Sequence, residues 1–190
     1  FIMYLGLDRE LDILSHHNLR FGGDWKQNFK ELFDTPQLPE DPSYYICKPT
    51  ETDPDLSPQG TDNLFVLVPI PPGLTLSEED MKSYRQKILN LMKTDLNLPA
   101  IEDYIVYERS YWSDDFQNDY NAYKGTALGL AHTLKQTLKR PLNYSKKVKN
   151  LYYVGAGTSP GIGMPICLIS AELVYKRIQK IKTPKPLKSL

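Results

Sequence analysis

The 190-residue chain has only two cysteines, Cys47 and Cys167. They are too few and too far apart for a disulfide framework or a C-x-x-C site, and both read as reduced thiols of a cytoplasmic protein. Histidine is equally scarce. His16, His17 and His132 show no metal-ligand spacing, so no metal site is expected. His132, between apolar positions, reads as a packed side chain rather than a base. No apolar run approaches the roughly 18 residues of a spanning helix. No basic segment followed by an apolar one opens the chain, so a signal peptide is not expected either. Acid is nearly missing from the last third. Residues 121–190 hold 13 Lys and Arg and one acid, Glu172, whereas residues 1–120 hold 10 basic and 22 acidic residues. The two parts carry net charges of +12 and −12, which cancel. Either the basic third faces something anionic (a phosphate-bearing cofactor, a membrane surface or nucleic acid) or the two parts neutralise each other within one fold. The basic part lacks the aromatic interleaving and motifs of nucleic-acid binders, so no nucleic-acid partner is expected.

What is present is a mixed α/β pattern. Ile2–Leu7, Tyr44–Cys47, Leu64–Ile70, Ile101–Arg109 and Asn150–Val154 read as strands. The opening directly on strand-like sequence suggests a piece of a longer fold. Trp25–Phe33 has apolar residues at helical spacing, whereas 34–43 and 48–60 are dense in turn formers. Ser77, followed by Glu78, Glu79 and Asp80, predicts a capped helix with Met81, Tyr84, Ile88, Leu91 and Met92 on one stripe. Thr126 is expected to cap a second helix carrying Ala127, Leu130, Ala131, Leu134 and Leu138, and Pro165 to open a last one. The early strands lack crossover helices and suit antiparallel pairing. The end reads strand, glycine turn, helix.

That end, Leu151-Tyr-Tyr-Val-Gly-Ala-Gly-Thr-Ser-Pro-Gly-Ile-Gly-Met-Pro165, carries the chemistry. As a dinucleotide fingerprint it fails, because Pro160 stands where the third glycine belongs and no second strand with an acidic residue follows. As a G-x-S-x-G nucleophile elbow it also fails. Pro160 has no N–H to lend an oxyanion hole, and no His or Asp follows Ser159. What remains is a bare glycine backbone before a helix N-terminus. Such an arrangement stabilises negative charge and lets a flat ring or a phosphate come close.

The stretch NLYYVGAGTSPGIGMP resembles the C-terminal flavin-contacting signature of the phytoene-desaturase family, close to NLYLVGAGTHPGAGVP. Three more segments agree in order. KPTETDPDLSPQG with LFVLVPIPP resembles the family's P-T-x-T-D-P-x-x-x-P-x-G block and V-L-V-P-V-P strand. YKGTALGLAHTLKQT resembles its G-S-A-F-G-L helix start. RPLNYSKKVKNLYYVG resembles its R-P-x-N linker. The segments FIMYLGLDREL and HHNLRFGGDW are most similar to those of bacterial dehydrosqualene (diapophytoene) desaturases. Ser159 stands for the signature's His, and Met164 for its Val.

The resemblance implies an FAD-dependent, cytoplasmic, peripherally membrane-associated oxidoreductase that desaturates a lipid-soluble linear polyene in carotenoid biosynthesis. The implied fold class is mixed α/β, the C-terminal part of an FAD-binding flavoprotein. Residues 1–140 would belong to the substrate domain, 141–182 to the FAD domain, and 183–190 to a flexible basic tail. Gly155, Ala156, Gly157 and Thr158 would lie along the FAD, with Gly161, Gly163, Met164 and Pro165 approaching its ring. Gly125, Leu128 and Leu130 would line the substrate path. No acid–base residue is implied as catalytic. Lys176, Arg177, Lys180, Lys182, Lys185 and Lys188 would meet anionic lipid. The family's G-x-G-x-x-G does not occur in these 190 residues, so this piece alone is expected to bind FAD weakly or not at all. The competing expectations are an oxygenase or isomerase of the same fold and a non-catalytic lipid- or partner-binding module.

Overall fold

A computed structural model describes residues 1–131 and 133–187, which fall into two compact units, Phe1–Thr126 and Ala127–Leu190. His132, the Leu138 side chain and Lys188 lie outside the described residues.

The first unit is built on one five-stranded sheet: β1 (Ile2–Leu7), β2 (His17–Arg20), β3 (Tyr44–Cys47), β4 (Asp62–Leu67) and β5 (Ile105–Tyr111). Its order is β2-β3-β4-β1-β5 and every pairing is antiparallel. Period-two alternation decides the faces. Met3 and Leu5 pair with Val66 and Leu64 and are buried with Leu7, Ile46 and Val68. Over them lies α2 (Glu78–Asp95), which buries Tyr84, Ile88, Leu89 and Met92. Each of these aliphatic side chains contributes about 1.5–3 kcal/mol on burial. The expected cap forms: Ser77 Oγ accepts from Asp80 N at 3.1 Å, and Asp80 Oδ2 accepts from Ser77 N at 2.9 Å. The opposite face of the sheet is aromatic and largely uncovered. It carries Tyr4, Tyr45, Phe65 and Tyr107, with Tyr4 and Phe65 in edge contact at 5.5 Å.

A buried ion pair ties the loops to this sheet. Lys48 Nζ bonds Leu11 O at 3.0 Å and Glu51 at 2.7 Å and sits 3.8 Å from Asp62 Oδ2. Asp62 in turn accepts from Leu11 N at 2.6 Å and from the Thr50 hydroxyl. The turn-rich block 48–60 is therefore anchored at both ends by buried polar groups rather than by apolar ones.

Several expected elements differ. β4 ends at Leu67, because Pro69 cannot donate to a ladder after Val68 has bonded Phe1 O. Residues Ile101–Tyr104 form a 3-10 turn, and β5 starts only at Ile105 and runs to Tyr111. The short strand β2 and the helix α3 (Ser113–Tyr120) were not legible from periodicity. Helix α1 (Trp25–Phe29) continues as a π-turn over Lys30–Asp34. Of the residues expected at helical spacing, Trp25, Phe29 and Phe33 stay out of the core and join Phe21, while Leu32 is half-buried. The four rings stack on one another at 5.3–6.1 Å, and each is more than half exposed.

In the second unit the expected helix from Thr126 does not form. Gly129 adopts a left-handed φ of 71°, and only α4 (Leu134–Leu138) is helical, capped by Thr133. Leu128 and Leu134 are exposed, and an amphipathic stripe with no surface to pack on does not sustain a helix. The strand expected at Asn150–Val154 is also absent. A single antiparallel bridge joins Tyr144 to Tyr152, flanked by Ser145 N to Leu151 O and Tyr153 N to Asn143 O, both 2.9 Å. A stretch apolar on both faces needs strand neighbours on both sides, and none flanks it among the described residues. The last helix, α5 (Met164–Ile178), forms with Pro165 in its first turn as expected.

Candidate functional site

The glycine stretch is held by the segment before it. Pro141 O accepts from Ser159 N at 3.0 Å, from Thr158 Oγ1 at 2.8 Å and from Ser159 Oγ at 3.2 Å. Asn143 Nδ2 donates to Ser159 O at 2.6 Å and to Ser170 Oγ at 3.0 Å, while Ser170 Oγ accepts from Gly155 N at 3.2 Å. Asn143 and Ser170 are buried, so loop, linker and helix are clamped by a polar network inside the unit. Thr158 is 3% exposed and its hydroxyl is spent on Pro141. Its side chain therefore shapes the loop and presents nothing outward. The Ser159 hydroxyl is likewise turned to a carbonyl, which agrees with discarding the nucleophile reading.

The glycines have separable reasons. Gly155, Gly161 and Gly163 adopt φ of 107°, 148° and 116°, where other residues are strained. Gly157 does not have a left-handed φ, and a Cβ built on it meets no heavy atom within 4 Å. Nothing inside the chain requires glycine there. It borders an open depression of about 360 Å³ lined by Pro141, Tyr153, Val154, Gly157 and Thr158. At the loop's end, Gly163 O accepts from Cys167 N at 2.8 Å. The first-turn N–H groups of Met164 and Ile166 are left without intrahelical partners, and Met164 is 84% exposed.

Beneath the loop lies Arg140. It is buried, and its Nη1 donates to Ala156 O at 2.9 Å. A Cβ on Gly161 would sit 3.4 Å from its guanidinium carbon. Its Nε is buried without a hydrogen-bond partner, and no carboxylate pairs with it among the described residues. An unpaired buried donor costs about 1–3 kcal/mol and calls for a reason. Neither Arg140 nor Asn143 was given a role by sequence reasoning, although both stand in the R-P-x-N segment. A basic residue directly before Pro, ahead of a glycine turn, was the available signal.

Residues 5–178 match the family described as flavin containing amine oxidoreductase. The chain belongs to that family. Curated relatives include a carotenoid 3,4-desaturase of Haloarcula japonica, 48% identical over 90% of this chain and 35% of that protein. A zeta-carotene-forming phytoene desaturase of Myxococcus xanthus is 42% identical over 94% of the chain and 35% of its own length. A 4,4'-diapophytoene desaturase of Staphylococcus aureus is 36% identical over 95% and 37% respectively. The chain thus spans about a third of the length of these relatives.

The residues fit a flavin on observations independent of that match. Gly157 leaves bare backbone beside an open depression, Arg140 holds an unmatched cation under the loop, and the N-terminus of α5 adds partial positive charge. Ala156, Gly161, Gly163, Met164 and Pro165 belong to the same turn.

The residues expected to line a substrate path are not alike. Gly125 is buried in the first unit, where a Cβ would stand 2.1 Å from Ser113 O, so packing against α3 accounts for it. Leu128 and Leu130 lie exposed on irregular chain in the second unit rather than on a helix. Sequence reading missed a groove of about 450 Å³ on the open sheet face, lined by Tyr4, Tyr107, Arg109, Tyr111, Phe116, Asp119 and Tyr120. There Tyr111 donates to Asp119, and that carboxylate pushes the phenol's pKa well above its usual range. Tyr107, Arg109 and Tyr111 on alternate residues of the edge strand β5 were the signal.

The tail also departs from expectation. Lys176 is buried and bonds Glu172 at 2.5 Å and Lys185 O at 2.7 Å, while Leu187 N bonds Glu172 at 3.1 Å. Residues 185–187 thus fold back on α5, and the Lys176 ammonium holds the Glu172 carboxyl below its usual range. Arg177 stacks over Tyr144 at 4.0 Å. Lys180, Lys182 and Lys185 remain exposed. No helix among the described residues is long and apolar enough to cross a membrane.

Proposed function

We propose that this chain is part of an FAD-dependent desaturase acting on a linear carotenoid precursor of the phytoene or diapophytoene type. Gly157, bare for no internal reason and facing an open depression, carries the reading. The names of the three relatives support the substrate class. In this reading residues 141–182 form the flavin-facing segment, and residues 1–140 contribute to the substrate side. When bound, FAD supplies the two-electron acceptor for a hydride leaving an apolar C–C unit.

The chain's own residues do the positioning. Asn143, Ser170 and Pro141 O fix the loop. Gly155, Ala156, Gly157 and Thr158 offer backbone along the cofactor, and Gly161, Gly163, Met164 and Pro165 shape the approach to the ring. Arg140 and the first turn of α5 favour the electron-rich, reduced form. The aromatic sheet face supplies apolar surface for a polyene. Lys180, Lys182 and Lys185, each worth about 1 kcal/mol near an anionic membrane, would hold the protein at the bilayer that dissolves its substrate.

The test uses the full-length protein with phytoene or diapophytoene in anionic liposomes. Purified protein is expected to carry FAD and to form a more conjugated polyene. Arg140→Gln is expected to lower flavin content while the folded fraction is kept. A folded, flavin-free protein that forms no product would establish the non-catalytic lipid-binding alternative. Oxygenated product would place the protein among the oxygenases.

A further inference from the structure

We propose that His16, His17 and Cys47 form a binding site on the first unit for a borderline-soft transition-metal cation of the Zn²⁺ type. Spacing in sequence hides this cluster, because the thiol comes from a different strand. The β2–β3 register sets His17 directly opposite Cys47, and Lys48 N bonds His16 O at 2.9 Å, which brings His16 alongside. One nitrogen of each ring and the Cys47 Sγ lie within 4.8 Å of one another. Tetrahedral Zn²⁺, with bonds of about 2.0–2.3 Å, needs its ligand atoms about 3.3–3.7 Å apart. Closing the site therefore takes side-chain movements of about 1 Å, which leave the strand pairing intact.

The donor set decides the chemistry. Two imidazoles and a thiolate suit zinc or copper and disfavour calcium or magnesium, which take oxygen ligands. Both rings are already oriented as metal-bound histidines are, by a second partner on the other nitrogen. His16 Nδ1 lies 2.7 Å from Thr52 Oγ1, and His17 Nδ1 lies 2.7 Å from the Tyr45 hydroxyl. Nε2 of each ring has no hydrogen-bond partner among the described residues. The Cys47 thiol is half-buried and in no disulfide, with the Tyr45 hydroxyl beside it, and His17 is exposed. The bound cation would link the edge strand β2 to β3 and, through Thr52, to the turn after it.

The experiment uses the 190-residue chain, reduced and metal-free, with Cys167→Ser leaving Cys47 as its single thiol. Zn²⁺ is titrated by calorimetry near pH 7, since the ligands must be deprotonated. Co²⁺ is followed by its thiolate charge-transfer absorption. Expected are one equivalent of Zn²⁺, a higher unfolding midpoint in excess Zn²⁺, and the Co²⁺–thiolate band. Cys47→Ser and Cys47→Ala are both expected to abolish the band, and His17→Ala to weaken uptake by about tenfold or more. Midpoints measured without metal identify any variant that fails to fold, and the remaining variants then decide. No stoichiometric uptake overturns the proposal. So does uptake, or a band, that is unchanged in folded Cys47 and His17 variants.

Discussion

Replacing Gly157 by alanine separates a glycine kept for a ligand from one kept for the fold. The added Cβ meets no heavy atom within 4 Å, and the backbone is not in the left-handed region. In the chain by itself the substitution should therefore leave stability unchanged or raise it by about 0.4–1 kcal/mol, through loss of freedom in the unfolded state. In the full-length protein the same methyl enters the depression beside Pro141 and Tyr153. A ring resting on bare backbone would have to retreat by roughly the 1.5 Å of a C–C bond. Misplacement by about 1 Å costs on the order of 10²-fold in rate. The readouts are flavin absorbance of the purified full-length protein, polyene formation in liposomes, and urea unfolding of the isolated chain. The expected combination is an unfolding midpoint no lower than wild type with little flavin or about 10²-fold less product. Full flavin content with wild-type turnover would refute the reasoning, as would destabilisation of the isolated chain by more than about 1 kcal/mol.

Gly125→Ala is the opposite case. Its Cβ would overlap Ser113 O at 2.1 Å, at a φ of 65°, and urea melts should show a loss above about 2 kcal/mol. Asp62→Ala should cost about 1–3 kcal/mol, because it leaves the buried Leu11 N and the Thr50 hydroxyl unpaired while Lys48 keeps Glu51 and Leu11 O; an unchanged denaturant midpoint would show the network to be dispensable.

Local rules carried far in the first unit. The Ser77–Asp80 cap, the stripe on α2 and the strands at β1, β3 and β4 depend on neighbours in sequence and on a core present in the same unit, and all appear. The same rules failed at Thr126–Leu138 and Asn150–Val154 because helical stripes and two-sided apolar strands take their stability from surfaces they pack on. In the candidate site the glycines were legible as a bare turn. Their separate reasons were not: a missing Cβ looks the same in sequence whether it serves a left-handed φ, as at Gly155, a tight contact, as at Gly125, or an outside ligand, as at Gly157.

By itself, then, the sequence determined the helix cap, the alternating faces of the sheet, the glycine turn before Pro165 and the family resemblance, since each is written in contiguous residues. Tertiary structure alone decided which distant groups share a place. It set Arg140 beneath Gly161 with its Nε unpaired, spent Thr158 on Pro141, folded Lys185 and Leu187 back onto Lys176 and Glu172, and brought Cys47 across a strand pair to two histidines. Strand register and the closure of loops fix such distances, and neither is encoded in residue spacing.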